Sequence, residues 1–254
     1  MLSFADHLYD DEDYLRAAEE YKRYIFLSTD DKNNILYKIG LCYRLASKND
    51  LAVEYFRKTA DNTTNDRLKH AAVYQTAYTY FLAEEYDKSI TIIDNLDVKE
   101  KNWFYTLKSL NYLHQRKWYK ARDILDQIKN LDERLIYIIP ELKAKSTAGI
   151  NMKRKKPILA ALFSAVLPGS GKIYCGEIVD GLYSFAVVGL SGLLAWDGFR
   201  KNDVNSIQGW IFGSLSVVFY SGNIYGSALS ARVYNYSKEN DIINSIPKLP
   251  EFLP

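Results

Sequence analysis

The chain has 254 residues, 48% hydrophobic and 25% charged, and its 33 Lys and Arg against 31 Asp and Glu leave a formal net charge of +2. That balance excludes a generally basic nucleic-acid-binding surface, because the only basic run is Lys153-Arg154-Lys155-Lys156. Whole-chain averages suggest ordinary soluble domains, but the charges are unevenly spread: residues 1–150 hold 23 basic and 24 acidic side chains, residues 151–254 only 10 and 7.

Residues 1–150 repeat themselves. A small residue with side chains to match four and seven positions later occurs as Ala17-Tyr21-Tyr24, Ala52-Phe56-Thr59, Ser89-Ile93-Leu96 and Ala121-Leu125-Ile128, and the small residues are 35, 37 and 32 apart. Nine positions before each stands a bulky residue (Leu8, Tyr43, Tyr80, Tyr112) and twelve before it a second small one (Ala5, Gly40, Ala77, Ser109). Two helices per unit follow, approaching closely where the small residues meet and separated by turns at Asp13-Tyr14, Lys48-Asn49, Glu85-Tyr86 and Lys117-Trp118.

These positions resemble the tetratricopeptide repeat, whose period is about 34 residues. Leu36, Ile39, Gly40, Tyr43, Ala52 and Phe56 carry the resemblance best, over four units spanning roughly residues 2–130; the first lacks the Trp-like position and the terminal Pro is absent throughout. An unrelated array of helical hairpins is the alternative. The resemblance implies a superhelix whose first helices line a concave groove for a protein or peptide. Its groove-facing positions here are Tyr37, Leu41 and Arg44, then Tyr74, Tyr78 and Phe81, then Thr106, Leu110 and Leu113. The tyrosines would serve as anchors and Arg44 would grip a carboxylate; tyrosines that merely pack repeat on repeat are the alternative. Residues 132–151, DERLIYIIPELKAKSTAGIN, read as a capping helix bent or ended near Pro140, closing a repeat domain over 1–148 and leading into a basic linker over 149–156.

The remainder reads as membrane. Pro157 to Leu167 is apolar but too short to cross a bilayer as a helix and stops at Pro168-Gly169, so it is expected to be interfacial or re-entrant. Ile178 to Trp196 is interrupted only by Asp180, and 28 uncharged residues separate Asp203 from Arg232; a spanning helix needs about 20. Spans over 178–196 and 207–229 are therefore expected, in a membrane domain over 157–235 followed by a tail over 236–254. A buried hairpin of a soluble helical domain is the alternative. The basic run before this region suits anionic headgroups, with Tyr174 anchoring at the same surface.

Leu167-Pro-Gly-Ser-Gly-Lys172 imitates a nucleotide-binding loop but fails the pattern twice, with Val166 at the first Gly and Ile173 in place of Ser or Thr. It more closely resembles a bacterial membrane-hairpin family in which a short apolar helix ends in L-P-G-x-G. Leu167 to Gly171, Tyr174, Gly176, Gly181, Asn223-Ile-Tyr-Gly226 and Tyr234-Asn235 carry that resemblance, while Lys172 departs from the common Gln. The resemblance implies membrane residence. Gly209-x-x-x-Gly213 and Gly222-x-x-x-Gly226 predict close helix packing, against Gly181, Gly189 and Gly192 of the first span or against another copy or another membrane protein. Asn223, Ser214, Ser216 and Ser221 are expected to face protein, since lipid cannot satisfy them.

Three His and two Cys, one Cys in each part, show no spacing that would build a metal site, a disulfide or a nucleophilic triad, so neither catalysis nor a cofactor is expected. The opening MLSFADHLYDDEDYLRA brings charge by Asp6 and shows no apolar leader. Basic residues cluster before the first span and after the second, which places both ends inside and the repeats in the cytoplasm; a trimmed leader would place them in the periplasm instead. The expected protein is all-α, a tetratricopeptide-like array followed by a two-helix transmembrane hairpin. Its expected role is a bacterial inner-membrane adaptor that binds a protein or peptide, or alternatively an accessory subunit of a membrane transport or insertion complex.

Overall fold

The computed structural model describes residues 1–27, 32–96, 102–129 and 133–249. Among them every regular element is helical, and the chain divides into two compact units, one built on Met1–Ile150 and the other on Asn151–Ser245.

The first unit contains α1 (Leu2–Asp10), α2 (Tyr14–Leu27), α3 (Asn33–Leu45), α4 (Asn49–Asn62), α5 (Asp66–Leu82), α6 (Tyr86–Asp94), α7 (Asn102–His114), α8 (Trp118–Asp126) and α9 (Ile138–Asn151). From α1 to α8 each helix packs on the next. The four turns inside the helix pairs share one backbone solution. Glu12, Ser47, Glu84 and Arg116 all have φ between 57° and 62°, and each stands five residues before one of the repeating small residues. At Ser47 the amide returns to Arg44 O at 3.0 Å and the next amide, Lys48, to Tyr43 O at 2.8 Å; the same pair of bonds closes α1, α5 and α7. This is the Schellman end, usually made by Gly. Here it is made four times without one, at a cost of about 1 kcal/mol or more per left-handed residue.

The repeat positions are the buried ones. Ala5, Ala77, Ser109, Ala17, Ala52, Ser89 and Ala121 have no exposed surface, and a Cβ on Gly40 would come within 2.6 Å of the Phe56 ring. The last helix differs from expectation at Pro140, which lies in the first turn of α9 and so neither bends nor ends it. A helix's first amides have no intrahelical acceptor, so a residue without an N–H costs nothing there; Asp132, where the capping segment was expected to start, lies outside the described residues. Ile139, Leu142, Ser146 and Gly149 form the buried face of α9. Gly149 lies flat against Trp118 of α8, and Arg122 donates to Thr147 Oγ1 at 2.8 Å.

The second unit contains α10 (Pro157–Val166), α11 (Ser170–Tyr174), α12 (Ile178–Asn202) and α13 (Ile207–Asn244), with a 3-10 turn over Asp203–Asn205. Both α10 and α12 run antiparallel to α13, which as a 38-residue helix is about 57 Å long. Residues 236–244, read as tail, are therefore helical, and 250–254 lie outside the described residues. Ile178–Asn205 is the one stretch among the described residues long and apolar enough to cross a membrane, with mean hydropathy 1.7 and 22% of its most apolar window buried. The expected second span does not reach that hydropathy. Its length is uncharged, but Ser214, Ser216, Tyr220, Ser221, Asn223, Tyr225 and Ser227 dilute it, and freedom from charge is not apolarity.

Two substitutions test the repeat geometry in opposite directions. Gly40→Ala should destabilise the first unit by about 1–3 kcal/mol through overpacking against Phe56, whereas Glu84→Gly, which relieves a left-handed residue, should stabilise it by up to about 1 kcal/mol. Urea midpoints at constant slope report both.

Candidate functional site

On the first unit, α5 and α7 gather an aromatic ladder. Tyr74 stacks on Tyr78 at 6.1 Å between centroids, Tyr78 on Phe81 at 6.0 Å, and Phe81 meets the His114 ring edge-on at 5.1 Å. Tyr86, at the start of α6, closes the group by stacking on His114 at 5.7 Å. The Arg44 guanidinium lies over Tyr78 at 5.4 Å, joining α3 to the ladder. Because 74, 78 and 81 are one turn apart on α5, their rings rise along one face.

Only part of the expected groove is surface. Tyr37, Leu41, Tyr74, Leu110 and Leu113 are buried, as is Thr106; Tyr37 packs on Phe56 at 5.6 Å and Tyr74 meets Phe104 edge-on at 5.6 Å. Arg44, Tyr78, Phe81, His114 and Tyr86 remain half-buried. Burial pushes the Tyr74 phenol above its ordinary value and holds His114 below 6.5, with Glu84 pulling weakly the other way. Tyr86 escaped the sequence reading because it was assigned to the turn.

On the second unit, the turn between α10 and α11 is knotted into α13. Gly169 N donates to Asn223 Oδ1 at 3.1 Å and Gly171 N to Ser164 Oγ at 3.0 Å. Ser164 and Ser227 hydroxyls meet at 2.6 Å, Tyr220 donates to Ala165 O at 2.5 Å and Ser230 donates to Glu177 at 2.6 Å. Gly169 has φ +85°, and a Cβ there would strike the Gly181 carbonyl, as one on Gly171 would strike that of Ala160. The amides of Ser170 and Lys172 are also spent, on Leu167 O and Gly169 O, each at 3.1 Å. A phosphate-cradling loop needs those amides free; in this turn they close the loop on itself and on α13.

The small-residue positions separate into two groups. Gly209 and Gly213 pack towards α12, the first at 2.7 Å from the Phe199 ring and the second at 3.9 Å from Ala195, measured from a built Cβ. Gly226 lies beside the Lys172 side chain, and Gly222 and Gly189 face open space. Ser214 and Ser221, expected to face protein, are exposed, while Asn223, Ser227 and Ser230 are buried. Helical phase explains the reversal, since nine residues separate Ser214 from Asn223, two and a half turns.

The basic run is structured. Asn235 grips the Lys155 backbone at both polar atoms, accepting from its N and donating to its O, each at 2.8 Å. Lys156 N donates to Tyr174 Oη at 3.3 Å, Arg154 pairs with Glu239 at 3.1 Å, and the Lys155 ammonium lies 4.4 Å from the Tyr174 ring and 5.6 Å from that of Tyr234. Lys153 and Lys156 are exposed. Ser164, Ser227, Tyr220 and the Ser230–Glu177 pair escaped the sequence reading, for each takes its role from a residue more than 50 positions away. Cys42 and Cys175 are buried free thiols, the former pushed up to about 12 by burial, and no metal-holding cluster of His, Cys, Asp or Glu occurs among the described residues. Comparisons with models of known protein families, with curated proteins and with solved structures return no match.

Two measurements check these geometries. A His114 held neutral in the fold gives stability that is full above the unfolded value of 6.5 and is lost as pH falls below it; His114→Gln should flatten that part of the pH–stability profile. Asn223→Ala leaves the Gly169 amide unpaired and should cost about 1–3 kcal/mol, read by thermal unfolding of the full chain in detergent, whereas Ser214→Ala on the exposed face should stay within about 0.5 kcal/mol.

Proposed function

We propose that the chain is a membrane-anchored adaptor, whose tetratricopeptide-like unit recruits a protein or peptide to a bacterial inner membrane held by the L-P-G-x-G hairpin. The observation that carries this reading is the surface of α12. Val179, Leu182, Tyr183, Phe185, Leu190, Leu193 and Trp196 are all exposed, Trp196 by 71%, and a soluble helix does not present such a face to water. The closed turn supports it further. Twelve residues of α13 separate Asn235, beside Lys155, from Asn223, beside Gly169, which puts the turn about 18 Å from the basic edge. Non-helical backbone at that depth in a bilayer must be satisfied by protein, and the amides of this turn are.

The α12–α13 pair forms the two spans in this reading, with α10 and α11 re-entrant beside them. Lys153 to Lys156 and Lys172 precede α12, Arg232 and Lys238 lie towards the end of α13, and only Arg200 and Lys201 lie at the connecting turn. That asymmetry supports a cytoplasmic location for the basic edge and the repeats. Recognition falls to Arg44, Tyr78, Phe81, Tyr86 and His114, aromatic groups with few rotors left to freeze beside a cation suited to a carboxylate. A second reading, a subunit of a membrane transport or insertion assembly, draws support from Ser214, Ser221 and Gly222, which give α13 a small and polar outward face that lipid fills poorly.

Carbonate and high-salt washing should leave the full chain in the membrane pellet, and release would sink the anchoring. Crosslinking in membranes should capture a partner that is lost on combining Arg44→Ala with Phe81→Ala, while helicity and membrane residence persist. Undiminished capture would move recognition to α13 and favour the second reading.

A further inference from the structure

The run Lys153 to Lys156 reads in sequence as part of a basic linker. In the structure four independent contacts fix it: the two-point grip of Asn235 on Lys155, the Tyr174 hydroxyl on Lys156 N, the Arg154–Glu239 pair and the Lys155 ammonium against the Tyr174 and Tyr234 rings. These contacts divide the four cations by task. Arg154 and Lys155 are engaged by protein and hold the run against α13 and α11. Lys153 and Lys156 form no ion pair among the described residues and are exposed to solvent.

Directly after Lys156 the surface turns apolar. Ile158 is 75% exposed, Leu162 54% and Phe163 43%, all on α10. An occupant that satisfies both halves of this surface carries a negative charge at one end and hydrocarbon at the other. A free phosphate offers only the first and a neutral lipid only the second. A polyanion such as nucleic acid would need a broader basic face than this edge provides.

We propose that this edge is a preorganised docking site for an anionic phospholipid, in which Lys153 and Lys156 contact the headgroup phosphate, Ile158, Leu162 and Phe163 pack on the acyl chains, and Asn235 is the positioning residue. The inference rests on the reading of this unit as membrane-embedded. Preorganisation is the point of the Asn235 grip. Ordering a basic segment when the lipid binds would cost conformational entropy, and a segment already fixed avoids that cost. Lipid selectivity therefore depends on a neutral side chain 80 residues away from the lysines it serves.

The test uses the full chain in neutral detergent, titrated with phosphatidylglycerol, phosphatidylcholine or inorganic phosphate, with the melting temperature as readout. Phosphatidylglycerol should raise the melting temperature in a saturable way, and the other two should not. Lys153→Gln combined with Lys156→Gln should weaken the apparent affinity roughly thirtyfold, at about fivefold per charge near a membrane surface. Asn235→Ala should weaken it several-fold with no change in charge, and Arg200→Gln, at the far end of α12, should leave it unaltered. Equal shifts with phosphatidylcholine, or an unchanged affinity in the lysine double variant, would overturn the site. A full response to inorganic phosphate would overturn the lipid as its source, and wild-type affinity in Asn235→Ala would overturn the positioning role. Carbonate extraction of the same variants separates the two levels: a chain that resists carbonate but shows no lipid preference removes this inference alone, whereas a chain released by carbonate removes the anchoring beneath it.

Discussion

Two backbone amides, those of Gly169 and Gly171, are taken by side-chain oxygens instead of backbone carbonyls, and the second unit is arranged around those side chains. A buried amide left unpaired costs about 1–3 kcal/mol, so the turn between α10 and α11 exists only where an oxygen meets each N–H. Asn223 supplies one and Ser164 the other. Ser164 is itself held by Ser227, one turn beyond Asn223 on α13, so α13 must be helical through this stretch and must present that face to α10. The glycines then follow from proximity, because carbonyls of Gly181 and Ala160 occupy the space a side chain would need. One turn's hydrogen-bonding demand thus sets the composition of three helices.

The first unit solves its problem locally and repeatedly. Each helix pair closes through a left-handed residue five positions before a buried small one, and the spacing recurs because the geometry does. For that reason the unit was legible in sequence: Ala17, Ala52, Ser89 and Ala121 are fully buried as their periodicity requires. The left-handed turns were not legible, since Glu12, Ser47, Glu84 and Arg116 carry none of glycine's signal. Nor was the division of the ladder. Periodicity places Tyr74, Tyr78 and Phe81 on one face of α5, but it cannot say that Trp103 and Phe104 of α7 close over the first and leave the other two half-open.

The second unit was legible in its motif and opaque in its extent. Leu167 to Gly171, Asn223 and Asn235 stood out as residues, and the structure joins the turn to Asn223 and the basic run to Asn235. Freedom from charge, however, put the stretch before Arg232 forward as a span alongside the first, whereas hydropathy favours Ile178–Asn205. The polar residues of α13 are what its role in the knot demands. A helix that must offer Asn223, Ser227 and Ser230 to its neighbours gives up hydropathy to do so, and the cost falls largely on the sequence signal, because the oxygens of all three are paired inside.

The same trade shows where each unit has chemistry left to spend. In the second, Asn223, Ser227, Ser230, Tyr220 and Asn235 are all engaged internally, so its free surface is mainly hydrocarbon on α10, α12 and α13, with exposed lysines at the basic edge. In the first, small, aliphatic and aromatic repeat positions fill the interior, and the half-exposed groups are rings and a guanidinium already held by their neighbours. Rings fixed in a ladder lose little further entropy when something packs on them, which suits recognition of a partner. Exposed apolar side chains along three helices offer breadth without direction, which suits a solvent of acyl chains. The division between adaptor and anchor therefore follows from which side chains each fold has consumed in holding itself together.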